Sequence, residues 1–236
     1  MAKRRSYYTK SEATANGISF AAKEAYNLLR TNLFFSFTDN TNCHVIGVTS
    51  TIPSEGKSLT ATNTAMAMAE AGKRVLLIDS DMRLPTIHKK LGFKVAPGLS
   101  NLLVGMNDVE KAIYRLQDKG FDVMPAGNTP PNPTELLGSA RMEKLLNGLS
   151  AHYDYIIIDL PPVTIVSDAL VASKYLSGVV FVVRGGKATT AELGDAIRQL
   201  EFANVKILGF VYNSAEGAKK SNYGKKYYSK YNKYGR

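Results

Sequence analysis

Five short stretches constrain this chain more than anything else in it. HVIGVTS, VLLID, YIIID, GVVFVV and VKILGFVYN are apolar almost without interruption. A strand with one wet face alternates apolar and polar residues. One that does not alternate is covered on both faces, as in a parallel sheet layered between helices. FDVMPAG adds a sixth strand. The segments between carry helical patterns: SFAAKEAYNLLRTNLFF places Ala21, Ala25, Leu28, Leu29 and Leu33 on one face, which predicts an amphipathic helix near residues 20–35. LTATNTAMAMAEAG reads as an alanine-rich helix closed by Gly72, and TELLGSARMEKLLNGL and TTAELGDAIRQLEFA as two more. The predicted fold class is α/β, with a mostly parallel central sheet and helices on both faces. In such sheets ligands collect at the carboxyl ends of the strands.

The 236 residues and 44% hydrophobic content suit one globular α/β unit. No apolar run approaches the roughly 18 to 20 residues that span a bilayer, which predicts an unexported soluble chain. One cysteine, Cys43, excludes an internal disulfide, and no pair of histidines has zinc-ligand spacing, so no zinc is expected. The net charge of +10 sits at the ends: Lys3, Arg4, Arg5 and Lys10 at the start, and seven cations from Lys219 to Arg236. Strand and helix patterns stop near Ser214. The expected organisation is a domain over 1–214 and a flexible Tyr/Lys-rich tail over 215–236.

Between HVIGVTS and the helix after it lies TIPSEGKS. At such a junction backbone N–H groups and the helix dipole favour a phosphate. Gly56-Lys57-Ser58 is the working end of a P-loop: the lysine reaches the terminal phosphates and the hydroxyl binds Mg2+. A full G-x-x-x-x-G-K-[ST] needs glycine where Thr51 stands, so these residues alone leave both a nucleotide site and an unrelated Gly-Lys-Ser turn open. The carboxylates decide between them. Asp79 and Asp81 end VLLIDSD and Asp159 ends YIIID, and a charge after so apolar a run emerges at the carboxyl edge, where the loop also lies. One acid can hold Mg2+, and another can accept the proton of an incoming nucleophile. Arg83, just beyond, can position a phosphate or Asp81, whereas Asp168 reads as a helix cap.

EAYNLLRTNL, PSEGKS, VLLIDSDMRLPTIH, GLSNLLVG, MPAGNTPPNPTELL, YDYIIIDLPPV, VVRGGKATT, GFVYN and a terminal tyrosine cluster follow one another in that order. In this series the chain resembles the bacterial tyrosine kinases that control capsular and exopolysaccharide synthesis, in the form where the cytoplasmic kinase and its membrane activator are separate chains. The resemblance implies an autophosphorylating protein-tyrosine kinase using ATP and Mg2+. It implies nucleotide contacts from Ser54, Glu55, Gly56, Lys57, Ser58 and Leu59, with Arg83 beside them. It makes Asp79, Lys57 and Asp81 catalytic, with Asp79 as proton acceptor, and gives Mg2+ to Ser58, Asp79, Asp81 and Asp159. Asn213 touches the base or is a plain turn asparagine.

Partners follow by the same resemblance: a homo-oligomeric ring, a transmembrane chain-length regulator that activates the kinase, a cognate tyrosine phosphatase, other protein substrates, and no nucleic acid. The implied place is cytoplasmic, at the inner face of the membrane through that partner. Glu24 and Arg30 match the family's oligomerisation helix, with Asn27 in place of a middle arginine. Ser54 stands where glycine is usual, and Leu160 where threonine is frequent.

The implied phosphoacceptors are Tyr223, Tyr227, Tyr228, Tyr231 and Tyr234, in a segment without acids from Ala218 onward. Interleaved aromatic and basic residues also suit a nucleic-acid or membrane arm, as on the partitioning and cell-division switch ATPases. Those carry an extra lysine where Ile52 stands. Neither an H-R-D loop nor D-F-G is present, which excludes a eukaryotic-type kinase.

Overall fold

The computed structural model describes residues 18–37, 41–116 and 118–213. The amino-terminal basic run and all five tail tyrosines lie outside them. In chain order the elements are α1 (Phe20–Ser36), β1 (His44–Ser50), α2 (Lys57–Glu70), β2 (Val75–Asp79), α3 (Ile87–Leu91), α4 (Leu99–Leu103), α5 (Val109–Ala112), β3 (Tyr114–Leu116) and β4 (Phe121–Met124). There follow α6 (Pro133–Leu137), α7 (Ala140–Ser150), β5 (Tyr155–Asp159), α8 (Asp168–Ala172), β6 (Gly178–Arg184), α9 (Thr190–Phe202) and β7 (Ile207–Asn213).

The strands form one seven-stranded sheet in the order β3-β4-β2-β5-β1-β6-β7. Every neighbouring pair is parallel except β3 with β4. The uninterrupted apolar runs are explained by two cores. Ile156 and Ile158 of β5 face α4, α6, α7, α8 and α9, with Leu103, Leu137, Met142, Leu146, Ala169 and Leu200. Ile157 between them faces the other way, into Ala61, Ala65 and Met68 of α2 and Leu33 of α1. Burial of Leu33, 2% exposed, is worth roughly 2 to 3 kcal/mol and docks α1 on the domain.

Six strands were expected and seven are found. β3 is three residues long, carries Arg115 and pairs antiparallel at the sheet edge. Short charged edges of this kind resist pairing with other chains, and three residues hold no periodicity to read. No helix among the described residues is long and apolar enough to cross a membrane.

Candidate active site

Sheet register brings the acids together. Asp79 is the register partner of Asp159 on the adjacent strand, and Asp159 is the partner of Val48, two residues before the end of β1. Neighbouring parallel strands lie about 4.8 Å apart, so two runs of equal length place their terminal carboxylates side by side below the loop. Lys57, on the first turn of α2, reaches back to them: Nζ is 2.8 Å from Asp81 Oδ2 and 3.6 Å from Asp159 Oδ1. It is 8% exposed. Burial alone would pull its pKa down, but Asp159 and Asp81 outweigh that and hold the ammonium charged.

The loop is braced from three sides. Glu55, wholly buried, accepts hydrogen bonds from the Ile52 N–H at 2.9 Å and from the Arg184 N–H of β6 at 3.1 Å. Asn213, the last residue of β7, donates Nδ2 to the Glu55 carbonyl at 2.9 Å. Thr164 Oγ1 donates to the Thr51 carbonyl and Thr49 Oγ1 to the Pro161 carbonyl, tying the loop to the segment after β5. Gly56 caps α2 with φ +99°, and Ser54 takes φ +66°. Glycine adopts that left-handed conformation at least cost, and Ser54 holds it without being one. Leu160 is fully buried, and a Cβ on Gly47 would meet its Cδ1 at 2.7 Å. It fills space that the glycine leaves in the core.

The three acids are not equivalent. Asp79 Oδ1 accepts the Asp81 N–H at 3.2 Å, and Oδ2 accepts those of Thr86 and Ile87 at 3.2 and 3.1 Å. Burial and the neighbouring Asp159 push its pKa up to about 8, against the pull of the Ile87 N–H and Lys57. Asp81 is spoken for by Lys57 and by the Leu84 N–H at 3.0 Å. Asp159 is wholly buried, and neither of its oxygens receives a hydrogen bond of ordinary geometry. Burial raises its pKa, with Lys57 and the nearby Ser58 hydroxyl opposing.

That orphaned carboxylate beside a serine hydroxyl fits a divalent cation. No three carboxylate, imidazole or thiolate groups form a ready-made cage among the described residues, but Mg2+ is commonly held by one or two protein groups plus substrate phosphates. The donor set present therefore suits it.

Other site candidates fall as follows. Ser58 is buried on the first turn of α2, while Leu59 and Asn213 are half-buried. Arg83 pairs with Asp168 while Asp81 still acts on its charge: Nε lies 2.9 Å from Asp168 Oδ2, Nη2 bonds Asp168 Oδ1 at 3.2 Å, and Thr134 Oγ1 donates to the same carboxylate. Asp168, read as a cap, thus anchors the segment after β2 to α6 and α8. On α1, Asn27 Nδ2 donates to Glu24 Oε1 at 3.0 Å, and Arg30 Nη1 reaches the Ala67 carbonyl of α2 at 3.1 Å. Sequence reasoning missed Lys90, whose charge interacts with Asp159, Lys57 and Asp79. Nothing in HKK distinguishes it from its neighbour Lys89.

A lysine and a serine opening a helix after a central strand, with two strand-end carboxylates in register beneath, define a P-loop NTPase, the fold that binds ATP. Residues 44–199 match the family described as AAA domain. The chain is 38% identical over 201 residues to the Bacillus subtilis (strain 168) tyrosine-protein kinase YwqD, covering 85% of this chain and 84% of that one. It is 36% identical over 193 residues to the Escherichia coli (strain K12) tyrosine-protein kinase etk, covering 82% of this chain and 26% of that one. It thus spans most of the first relative and about a quarter of the second. The solved kinase domain of Escherichia coli tyrosine kinase ETK aligns with a TM-score of 0.77 and 35% identity, over 84% of this chain and 78% of that one. The chain belongs to the bacterial tyrosine-protein kinases.

Proposed function

We propose that the protein transfers the γ-phosphate of ATP to tyrosines of its own C-terminal segment, between subunits, and through this controls capsular or extracellular polysaccharide synthesis. The observation that carries the reading is the ion-paired Lys57–Asp81–Asp159 cluster directly beneath the loop. Lys57 exchanges Asp81 for phosphate oxygens and draws off charge as the phosphoryl group moves. Ser58 and Asp159 would hold Mg2+, with Asp79 and Asp81 as the further acids of the site. When bound, the ion neutralises charge on the β- and γ-phosphates. Asp79 takes the phenolic proton, burial and the neighbouring Asp159 making it more basic than an ordinary carboxylate.

The segment past Ser214 supplies acceptors. About twenty extended residues reach at most roughly 70 Å, enough to enter a neighbour's site. Each phosphotyrosine adds about −1.5 to −2 charges, so five outweigh or match the tail's seven cations. Unmodified tails then dock at the acidic sites of adjacent subunits, and phosphorylated ones leave. A ring is supported by the exposed face of α1, where Phe20, Leu28 and Phe35 accompany Glu24. A membrane activator would hold the assembly at the inner face of the cell membrane, and a phosphatase would reset it.

Incubation with labelled ATP and the activator's cytoplasmic peptide tests the reading. Label mapping to tail tyrosines, absent in Lys57→Met, supports it. Released phosphate with unmodified tails points to a switch ATPase instead.

A further inference from the structure

Lys57 is not the only lysine whose charge acts on the carboxylates. Helix α3 hangs from Asp79, whose Oδ2 accepts the N–H groups of Thr86 and Ile87. Ile87 and Leu91 turn into the core, wholly buried, and this fixes the rotation of the helix. Lys90 lies one turn on, its N–H donating to the Thr86 carbonyl at 3.2 Å. It therefore sits on the stripe of Thr86, the residue bonded to Asp79. Helical side chains lean back toward the helix N-terminus, so the Lys90 stem leans toward the start of α3, which Asp79 holds.

Three features single this lysine out. It is partly buried while Lys89 beside it is exposed. Its ammonium makes no ion pair with any described residue, although Asp159, Asp79 and Lys57 are near enough to act on its charge. Desolvation, the largest influence on it, holds its pKa below the usual lysine value. A partly desolvated cation without an anion of its own is costly, and it is relieved by an anion arriving at the loop.

We propose that Lys90 is a second catalytic ammonium, reaching the terminal phosphate of the bound nucleoside triphosphate from α3 as Lys57 does from α2. This rests on the P-loop kinase reading above. As the phenolic oxygen bonds to phosphorus and the bond to the bridging oxygen breaks, the electron pair leaves with ADP and the phenolic proton goes to Asp79. Lys90 transfers nothing; it offsets charge on the moving group, and a fixed cation so placed acts where that charge is greatest. Because ADP lacks the terminal phosphate, Lys90 separates ATP from ADP.

The test compares Lys90→Met, Lys90→Arg and Lys89→Met in the full-length protein by calorimetry with ADP and with a non-hydrolysable ATP analogue, and by tyrosine labelling. Lys90→Met should bind ADP like the parent, bind the ATP analogue about tenfold more weakly, and label tyrosine about a hundredfold more slowly. Lys90→Arg should recover much of both losses, and Lys89→Met should match the parent. An unchanged ATP-to-ADP preference in Lys90→Met overturns the proposal while leaving Lys57-dependent labelling of the parent intact. A parent that never labels tyrosine overturns the kinase reading as well. Should Lys90→Met melt early, the ATP-to-ADP ratio of Lys90→Gln decides in the same way.

Discussion

Replacing Gly56 by alanine tests whether the loop is built as described. An ideal Cβ there would lie 2.0 Å from Asn213 Nδ2 at a backbone φ of +99°. Two costs follow. Left-handed backbone costs a non-glycine residue about 1 to 2 kcal/mol. Asn213 must also retreat, giving up its 2.9 Å hydrogen bond to the Glu55 carbonyl, worth about 0.5 to 1.5 kcal/mol. Together they lower stability by about 2 to 3 kcal/mol, or roughly 5 to 10 °C in Tm for a domain of this size. Nucleotide affinity falls too, because the same shift re-aims the N–H groups of Gly56 and Lys57. The assay is denaturant unfolding with ADP calorimetry on Gly56→Ala, Asn213→Ala and the double variant. In the Asn213→Ala background the clash is gone, and adding Gly56→Ala should cost only the backbone strain, about 1 to 2 kcal/mol. Parental stability and ADP affinity in Gly56→Ala would mean that neither the left-handed Gly56 nor its contact with Asn213 shapes the loop.

Ser54→Gly relieves the φ of +66° and should stabilise by up to about 1 kcal/mol, strain relief being partly offset by the freer unfolded chain; urea titration reads it. Asp79 has its pKa raised from 3.8 to about 8, so between those values the folded state binds more protons than the unfolded one. Stability of the protein in EDTA should therefore fall as pH rises through that window, with Asp159, whose pKa is raised too, adding to the slope, and Asp79→Asn should make the curve shallower. Changing all five tail tyrosines to phenylalanine should leave assembly intact but stop ATP from dissolving it, as sizing chromatography would show; dissociation with ATP as in the parent would remove phosphorylation from the account.

The layered sheet was legible because Ile156, Ile157 and Ile158 each need an apolar partner and only two-sided cover supplies them. The acids were legible for the same reason, since an aspartate ending such a run has one edge to emerge from, and register does the rest. What stayed hidden depends on contacts between segments far apart in the chain. Glu55 reads as part of a phosphate loop, yet its carboxylate is spent on Ile52 and Arg184. Asn213 offers a base contact or a turn, and its amide braces Glu55. Arg83 has Asp81 two residues away but pairs with Asp168, eighty-five positions on. Lys90 gains meaning only from Asp79 holding the start of α3. A linear pattern carries side-chain type and period, not the direction a long cation takes.

Lys57 and the strand-end acids are proposed to hold a triphosphate together with a divalent ion. Calorimetry with ATP, with and without Mg2+, on the parent and on Asp159→Asn tests it most directly. Uptake that strengthens with Mg2+ in the parent and loses that dependence in Asp159→Asn is the expected result. Equal uptake with and without the ion in both proteins, or none in either, would contradict it.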